Sequence, residues 1–246
     1  MKLDNKYNRT QVYTGKISPK PKHVFKVISK LIDAYFKITT CQRSRRLLDI
    51  GCAAGAFAEY LIHIFNDVII TGIDLDDNLL EIAKQNVPSG HFFHADANDL
   101  SMFTTDSFDL VTYLGTMTIF DDFTVSLNEA LRVLSPGGML IVFSFFNPYP
   151  VDTLVRWRYS GKDMDWHPGY NLFSLQTVSN YLDSHTKVKT YNFKRFELPF
   201  DLAPQEDPIR SWTEIDANNK RVFRNGIMYL DMYILSIEAK TTLPFV

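Results

Sequence analysis

The chain has 246 residues, 46% of them hydrophobic and 14% aromatic, and a net charge of −2, so it can bury a full core and carries no global charge that would draw it to nucleic acid. Cys41 and Cys52 are its two cysteines and form neither a disulfide framework nor a metal pattern; no apolar run approaches the roughly 18 residues of a membrane span, and the polar start does not read as a secretory signal. The expectation is a protein of the reducing cytoplasm with no metal, no membrane and no nucleic-acid partner, its oligomeric state left open.

Residues 1–20 form an N-terminal arm whose stretch Tyr7 to Gly15 is too polar for a core and too aromatic for an ordinary disordered tail. Pro21 then opens a helix with the stripe Val24, Ile28, Leu31, Ile32 and Tyr35, expected to pack at a sheet edge. A single domain over 21–246 follows from the placement of the later motifs, with residues 46–145 as its cofactor half.

Leu47-Leu48-Asp49-Ile-Gly-Cys-Ala-Ala-Gly55, followed by the stripe Phe57, Tyr60, Leu61, Ile64 and Phe65, reads as a buried strand, a glycine-rich turn and an amphipathic helix. This builds a nucleotide-sized site at a strand's carboxyl end. A dinucleotide turn requires G-x-G-x-x-G/A, and the reading fails at Ala53. Asp49 would also repel a pyrophosphate but suits a ligand with an ammonium group.

Further strands follow at regular intervals. Val68 to Asp74 is a β-branched run ending in an acid about 20 residues after the turn, where a carboxylate can accept ribose hydroxyls. A helix capped by Asp76 or Asp77 comes next, burying Leu79, Leu80, Ile82 and Ala83. His91 to Ala97 gives a third strand, Phe108 to Gly115 a fourth, and Leu134-Ser-Pro-Gly-Gly138 a turn into a fifth at Met139 to Phe143. A helix over Phe173 to Leu182 capped by Ser174, and strands over Lys187 to Phe196 and Gly226 to Ile237, complete the series.

The segment Asp49 to Gly55 closely resembles the first motif of the class I S-adenosylmethionine-dependent methyltransferases, commonly D/E-x-G-x-G-x-G, with Ala53 at the middle glycine. The resemblance implies an α/β fold: a doubly wound, Rossmann-like seven-stranded sheet with an antiparallel last strand. It implies S-adenosylmethionine as cofactor, held by Asp49, Gly51, Cys52, Ala53 and Gly55 at the turn and by Asp74 and Leu75 at the ribose. Asp96 and Ala97 would face the adenine, and Leu114, Gly115 and Thr116 the methionine end. In relatives of this family such an N-terminal arm often folds over the cofactor, which makes Tyr13 a candidate contact.

Two long connections, 147–171 and 197–225, are expected to act as lids and set specificity. They supply the candidate acceptor residues Tyr149, Arg156, Trp166 and Arg210, with Met117 beside them at the exit of the fourth strand and His167 as general base. Six of the eleven arginines follow residue 150, which suits an anionic acceptor held by forked hydrogen bonds, although twelve acids balance twelve bases there and would make surface pairs. The expected reaction is methyl transfer to an oxygen or nitrogen of a small metabolite, anionic or linked to a sugar or nucleotide. A protein or RNA methyltransferase, or a non-catalytic cofactor binder, would use the same core. No Asn-Pro-Pro-aromatic tetrapeptide of the amino-directed nucleic-acid enzymes is present; Asn147-Pro-Tyr149 is a partial echo.

Overall fold

A computed structural model describes residues 21–39, 44–161 and 165–241; Tyr7, Tyr13 and Cys41 lie outside them. Five strands, β1 (Arg45–Ile50), β2 (Val68–Asp74), β3 (His91–His94), β4 (Phe108–Leu114) and β5 (Leu134–Asn147), run parallel in the order β3-β2-β1-β4-β5. Beyond β5 the sheet continues with two further strands, labelled here with the rest of the chain in sequence order. β6 (Arg156–Trp157), β7 (His167–Pro168) and β8 (Phe173–Ser174) precede β9 (Val188–Arg195); β10 (Trp212–Ile215), β11 (Arg221–Arg224) and β12 (Tyr229–Leu230) precede β13 (Met232–Ala239). β13 lies antiparallel between β5 and β9, which gives the expected seven-stranded path with its antiparallel strand.

Both faces of the sheet are covered, and neighbouring residues on a strand therefore serve different layers. Leu47, Ile70, Leu110, Ile141 and Ile234 face one layer. It is built by α1 (His23–Ile38), α2 (Ala56–Ile62) and α3 (Asp77–Asn86). Leu48, Ile73, Val111, Leu140 and Leu235 face the other, beneath α4 (Thr124–Val133) and α5 (Leu175–Ser184).

α1 buries Phe25, Ile28 and Ile32 and packs on a sheet face beside α2, with Phe25 and Phe57 rings 5.0 Å apart, rather than at the sheet edge. Its Tyr35 hydroxyl donates to the carbonyl of Gly137 at 2.9 Å. The Asp76 carboxylate caps α3, accepting from the amides of Asn78 and Leu79, and Ser174 caps α5 by accepting from Thr177.

The two long connections are folded excursions rather than irregular loops. The first carries the β6–β7 pair and returns through a Thr153–Leu172 bridge to β8, which adds a parallel pairing to the end of β5. The second folds into the antiparallel sheet β10-β11-β12. Tyr229 and Leu230, expected in the last long strand, belong to that small sheet. At the other end, Pro136 to Gly138 are drawn into β5, whose register against β4 shifts between Phe108 and Leu110. Among the described residues no helix is long and apolar enough to cross a membrane.

Candidate cofactor and acceptor site

The strand order reverses between β1 and β4, and the carboxyl ends of those strands lead into Gly51 and Gly115, the place where open α/β sheets hold ligands. Gly51 has φ +73°, and a Cβ there would lie 2.1 Å from Thr116 Oγ1, so only glycine lets the turn after β1 pass the exit of β4. The amides of Gly51 and Cys52 both donate to the carbonyl of Ile73, at 2.8 and 2.9 Å, which ties the turn to β2. Ala53 takes the left-handed conformation at φ 47° and donates its amide to Asp74 Oδ2 at 2.8 Å. Asp74 also accepts the amide of Asp76 at 3.1 Å.

The acids differ in setting. Asp49 is 3% exposed and receives one hydrogen bond among the described residues, from Thr112 Oγ1 at 2.7 Å. Burial raises its pKa to about 7; the Thr112 hydrogen bond opposes that rise and the charge of Asp74 adds to it. Asp74 is half-buried, and its pKa is raised chiefly by desolvation, against the pull of its backbone hydrogen bonds. A ligand cation placed near these carboxylates would stabilise their charged forms. The Cys52 thiol is pushed up by burial and by both acids, which makes it inert packing at this pH.

The remaining cofactor candidates line the same strand ends. Leu75 is exposed, and Asp96 accepts the amide of Asn98 at 2.9 Å in the turn after β3. Ala97 is 6% exposed, and its side chain packs in the core. Gly115 is exposed at φ +83°, with nothing within 4 Å of a Cβ built on it, and its amide donates to the carbonyl of Phe143 at 2.8 Å. These residues fit a nucleoside bearing an ammonium group: an open backbone cradle with two carboxylates at its floor and rim.

On the acceptor side the structure departs from expectation. Met117 is fully buried in the core with Tyr113 and Phe146, so its side chain faces packing and not an open pocket. Arg156 donates to Asp121 at 2.6 Å and to the carbonyl of Val155 at 2.9 Å; it braces the first excursion against the segment after β4 and its charge is already matched. Tyr149 and Trp166 stand out in solvent at 73% and 59% exposure, and Trp166 lies under the Arg158 guanidinium. His167 is half-buried on β7, its ring 4.8 Å from that of Trp157.

The surface-pair reading holds for most of the C-terminal arginines: Arg195 pairs with Asp231, Arg221 with Asp201 and Arg224 with Glu214. Arg210 is the exception among the described residues, with no carboxylate and no ring partner. A residue that sequence reasoning missed is Asn171, which is fully buried. Its side chain donates to the carbonyl of Phe120 at 2.7 Å and to Asp121 at 3.2 Å, and accepts from the amide of Val155 at 2.8 Å. It locks the first excursion over the exit of β4. Tyr159 donates to Asp207 at 2.7 Å, which latches the first excursion to the second.

Residues 48–142 match the family model described as a methyltransferase domain. The chain is 33% identical over 99 residues to a fatty-acid O-methyltransferase of Mycolicibacterium smegmatis, covering 39% of this chain and 36% of the relative. It is 30% identical over 165 residues to a demethylmenaquinone methyltransferase of Staphylococcus aureus, covering 59% and 64%. The chain thus spans less than two thirds of the length of either relative. Among solved structures it shares its fold with the YcgJ protein of Bacillus subtilis, at 16% identity and a TM-score of 0.58, covering 89% of this chain and 99% of that one.

Proposed function

We propose that the chain is a class I S-adenosylmethionine-dependent methyltransferase, a reading supported by the methyltransferase-domain match over residues 48–142, and that it transfers a methyl group to an oxygen or nitrogen of a small, anionic molecule. The observation that carries the cofactor half is the closed turn: Asp74 fastened to Ala53, with Asp49 buried beneath. Asp49 offers its carboxylate to the ammonium end of S-adenosylmethionine, Asp74 to the ribose, and the strand end at Asp96 to the adenine. The bound cofactor supplies a methyl group already activated by its sulfonium charge, so the protein's work is alignment and exclusion of water, with a base only where the acceptor must lose a proton.

The excursions over β4 and β5 do that work in this reading. Asn171 and Arg156 fix the first against the segment 117–121, and the Tyr159–Asp207 bond joins it to the second. His167, on the first excursion beside Trp157, is the candidate base. The relatives' names, a fatty-acid and a demethylmenaquinone methyltransferase, support an acceptor with an apolar body over one linked to a sugar or nucleotide. The test is labelled methyl transfer from S-adenosylmethionine into cell extract fractions. Label in the small-molecule fraction is expected; label only in protein or RNA would replace this reading with the macromolecular one.

A further inference from the structure

Asp49 and Thr112 stand in register on the parallel strands β1 and β4, two residues beyond the Leu47–Leu110 pair. They therefore share the sheet face of those leucines, towards α1, α2 and α3. Thr112 is fully buried and Asp49 is 3% exposed. The Thr112 hydroxyl donates to Asp49 Oδ1 at 2.7 Å, with the carbonyl of Leu48 a distant alternative at 3.5 Å. The shorter spacing fits a hydrogen bond to an ionised oxygen. Asp49 Oδ2 accepts no hydrogen bond among the described residues.

Packing does not account for this pair. Apolar residues of the same shape at both positions would cost the fold little, because two buried polar groups gain little from each other over what water gave them. What the hydroxyl provides is a fixed carboxylate. It holds one oxygen and leaves the other free, two residues before Gly51, where the strand order reverses. The titratable neighbours of Asp49 are Asp74, at the end of β2, and the Cys52 thiol in the turn. Asp74 disfavours a second negative charge, and α1, α2 and α3 pack apolar side chains into this layer. Among the described residues no cation pairs with Asp49, and Thr112 is the side chain that donates to it.

We propose that Thr112 is a positioning residue for the ammonium group of the cofactor: by holding Oδ1 it orients Asp49 so that Oδ2 receives the ammonium. The proposal rests on the methyltransferase reading given above and adds the residue that tunes its cofactor site. Thr112 acts through Asp49 and touches neither the methyl group nor the acceptor, so its effect is confined to the amino-acid end of the cofactor. Its hydrogen bond also opposes the burial that raises the Asp49 pKa. Removing the hydroxyl therefore moves the ionisation of Asp49 to higher pH.

The experiment titrates the full chain with S-adenosylhomocysteine and with 5′-methylthioadenosine, which keeps the nucleoside and the thioether but has no ammonium group. Thr112→Val, close to threonine in shape, should weaken S-adenosylhomocysteine about fivefold at pH 7 and move the rise of its affinity with pH upward by about one unit. Binding of 5′-methylthioadenosine should stay within about twofold of wild type. Thr112→Ser keeps the hydroxyl and should restore both the affinity and the pH profile. In an Asp49→Asn background, Thr112→Val should lose its effect on S-adenosylhomocysteine. The proposal is overturned if Thr112→Val leaves affinity and pH profile as in wild type, if it weakens both ligands alike, if Thr112→Ser behaves as Thr112→Val, or if the effect persists without the Asp49 charge. Failure of the wild-type chain to bind S-adenosylhomocysteine overturns the methyltransferase reading and this proposal with it; the other outcomes overturn the role of Thr112 alone.

Discussion

The carboxylate of Asp74, at the end of β2, accepts the backbone N–H of Ala53 at 2.8 Å, so the residue assigned to the ribose also closes the turn after β1. One side chain thereby has two duties that mutation can separate. Asp74→Ala strips an acceptor from the amides of Ala53 and Asp76. It should weaken S-adenosylhomocysteine binding by about 1 to 3 kcal/mol and lower stability by a similar amount, the scale of hydrogen bonds to a charged group. Asp74→Asn keeps one acceptor oxygen for the turn, so calorimetry and thermal unfolding should show stability largely restored and affinity restored less.

Asp49 predicts a pH dependence of known sign. Its folded pKa of about 7 lies above the usual carboxylate value, so between about pH 4 and pH 7 the ligand-free folded state holds a proton that the unfolded chain releases. Stability from this group is present at low pH and falls as pH rises through that window. Binding of an ammonium-bearing ligand favours the ionised form and should release a proton below pH 7. Affinity for S-adenosylhomocysteine should therefore climb from pH 5.5 to about 7 and then level off, and Asp49→Asn should flatten the climb. Titrations in buffers of different ionisation enthalpy would count the proton; uptake instead of release would contradict the assignment.

Gly51 and Thr116 form a steric couple across the switch point. Gly51→Ala brings a Cβ to 2.1 Å from Thr116 Oγ1 at a positive φ and should destabilise the fold by several kcal/mol, combining overpacking with left-handed strain. Adding Thr116→Ala removes the nearest clash, and the double variant should recover part of the loss but not the roughly 1 kcal/mol of backbone strain. A double-mutant cycle in urea measures the coupling; additive losses would mean that the turn relaxes away from Thr116.

The turn was legible in the sequence because its geometry admits few residue types: positive φ and close approach require glycine at Gly51 and Gly55. The burial of the strand carrying Leu47 and Leu48 was legible from its apolar run, whereas which layer each leucine serves came from the structure. The excursions were not legible. β6, β7 and β12 are two residues long, too short for periodicity to register, and their partners are set by contacts distant in the chain. Asn171 stood only as the end of the first long connection, because nothing local announces that its amide spans to Phe120 and Asp121. Arg156 and Arg210 were indistinguishable until the structure gave one a carboxylate and, among the described residues, left the other without one.

Asn171 should prove more costly to lose than its loop position suggests. Asn171→Ala leaves the buried amide of Val155 and the carbonyl of Phe120 without their partners and should destabilise by about 2 to 4 kcal/mol. Cofactor affinity should change little, since the turn after β1 is untouched. His167→Ala should spare both stability and cofactor affinity and reduce turnover by about 10²- to 10⁴-fold as a general base, with the loss shrinking at higher pH as the acceptor ionises unaided. Unchanged turnover at neutral pH would remove His167 from the chemistry.

The central claim is that the Asp49–Gly55 turn, fastened by Asp74, is a site for S-adenosylmethionine and not for a dinucleotide. Isothermal titration of the full chain at pH 7.5 with S-adenosylmethionine, S-adenosylhomocysteine and NAD tests it most directly. Saturable one-to-one binding of the first two, weakened by Asp74→Ala, with no heat from NAD is the predicted result; silence with both sulfur ligands, or binding of NAD in their place, would contradict it.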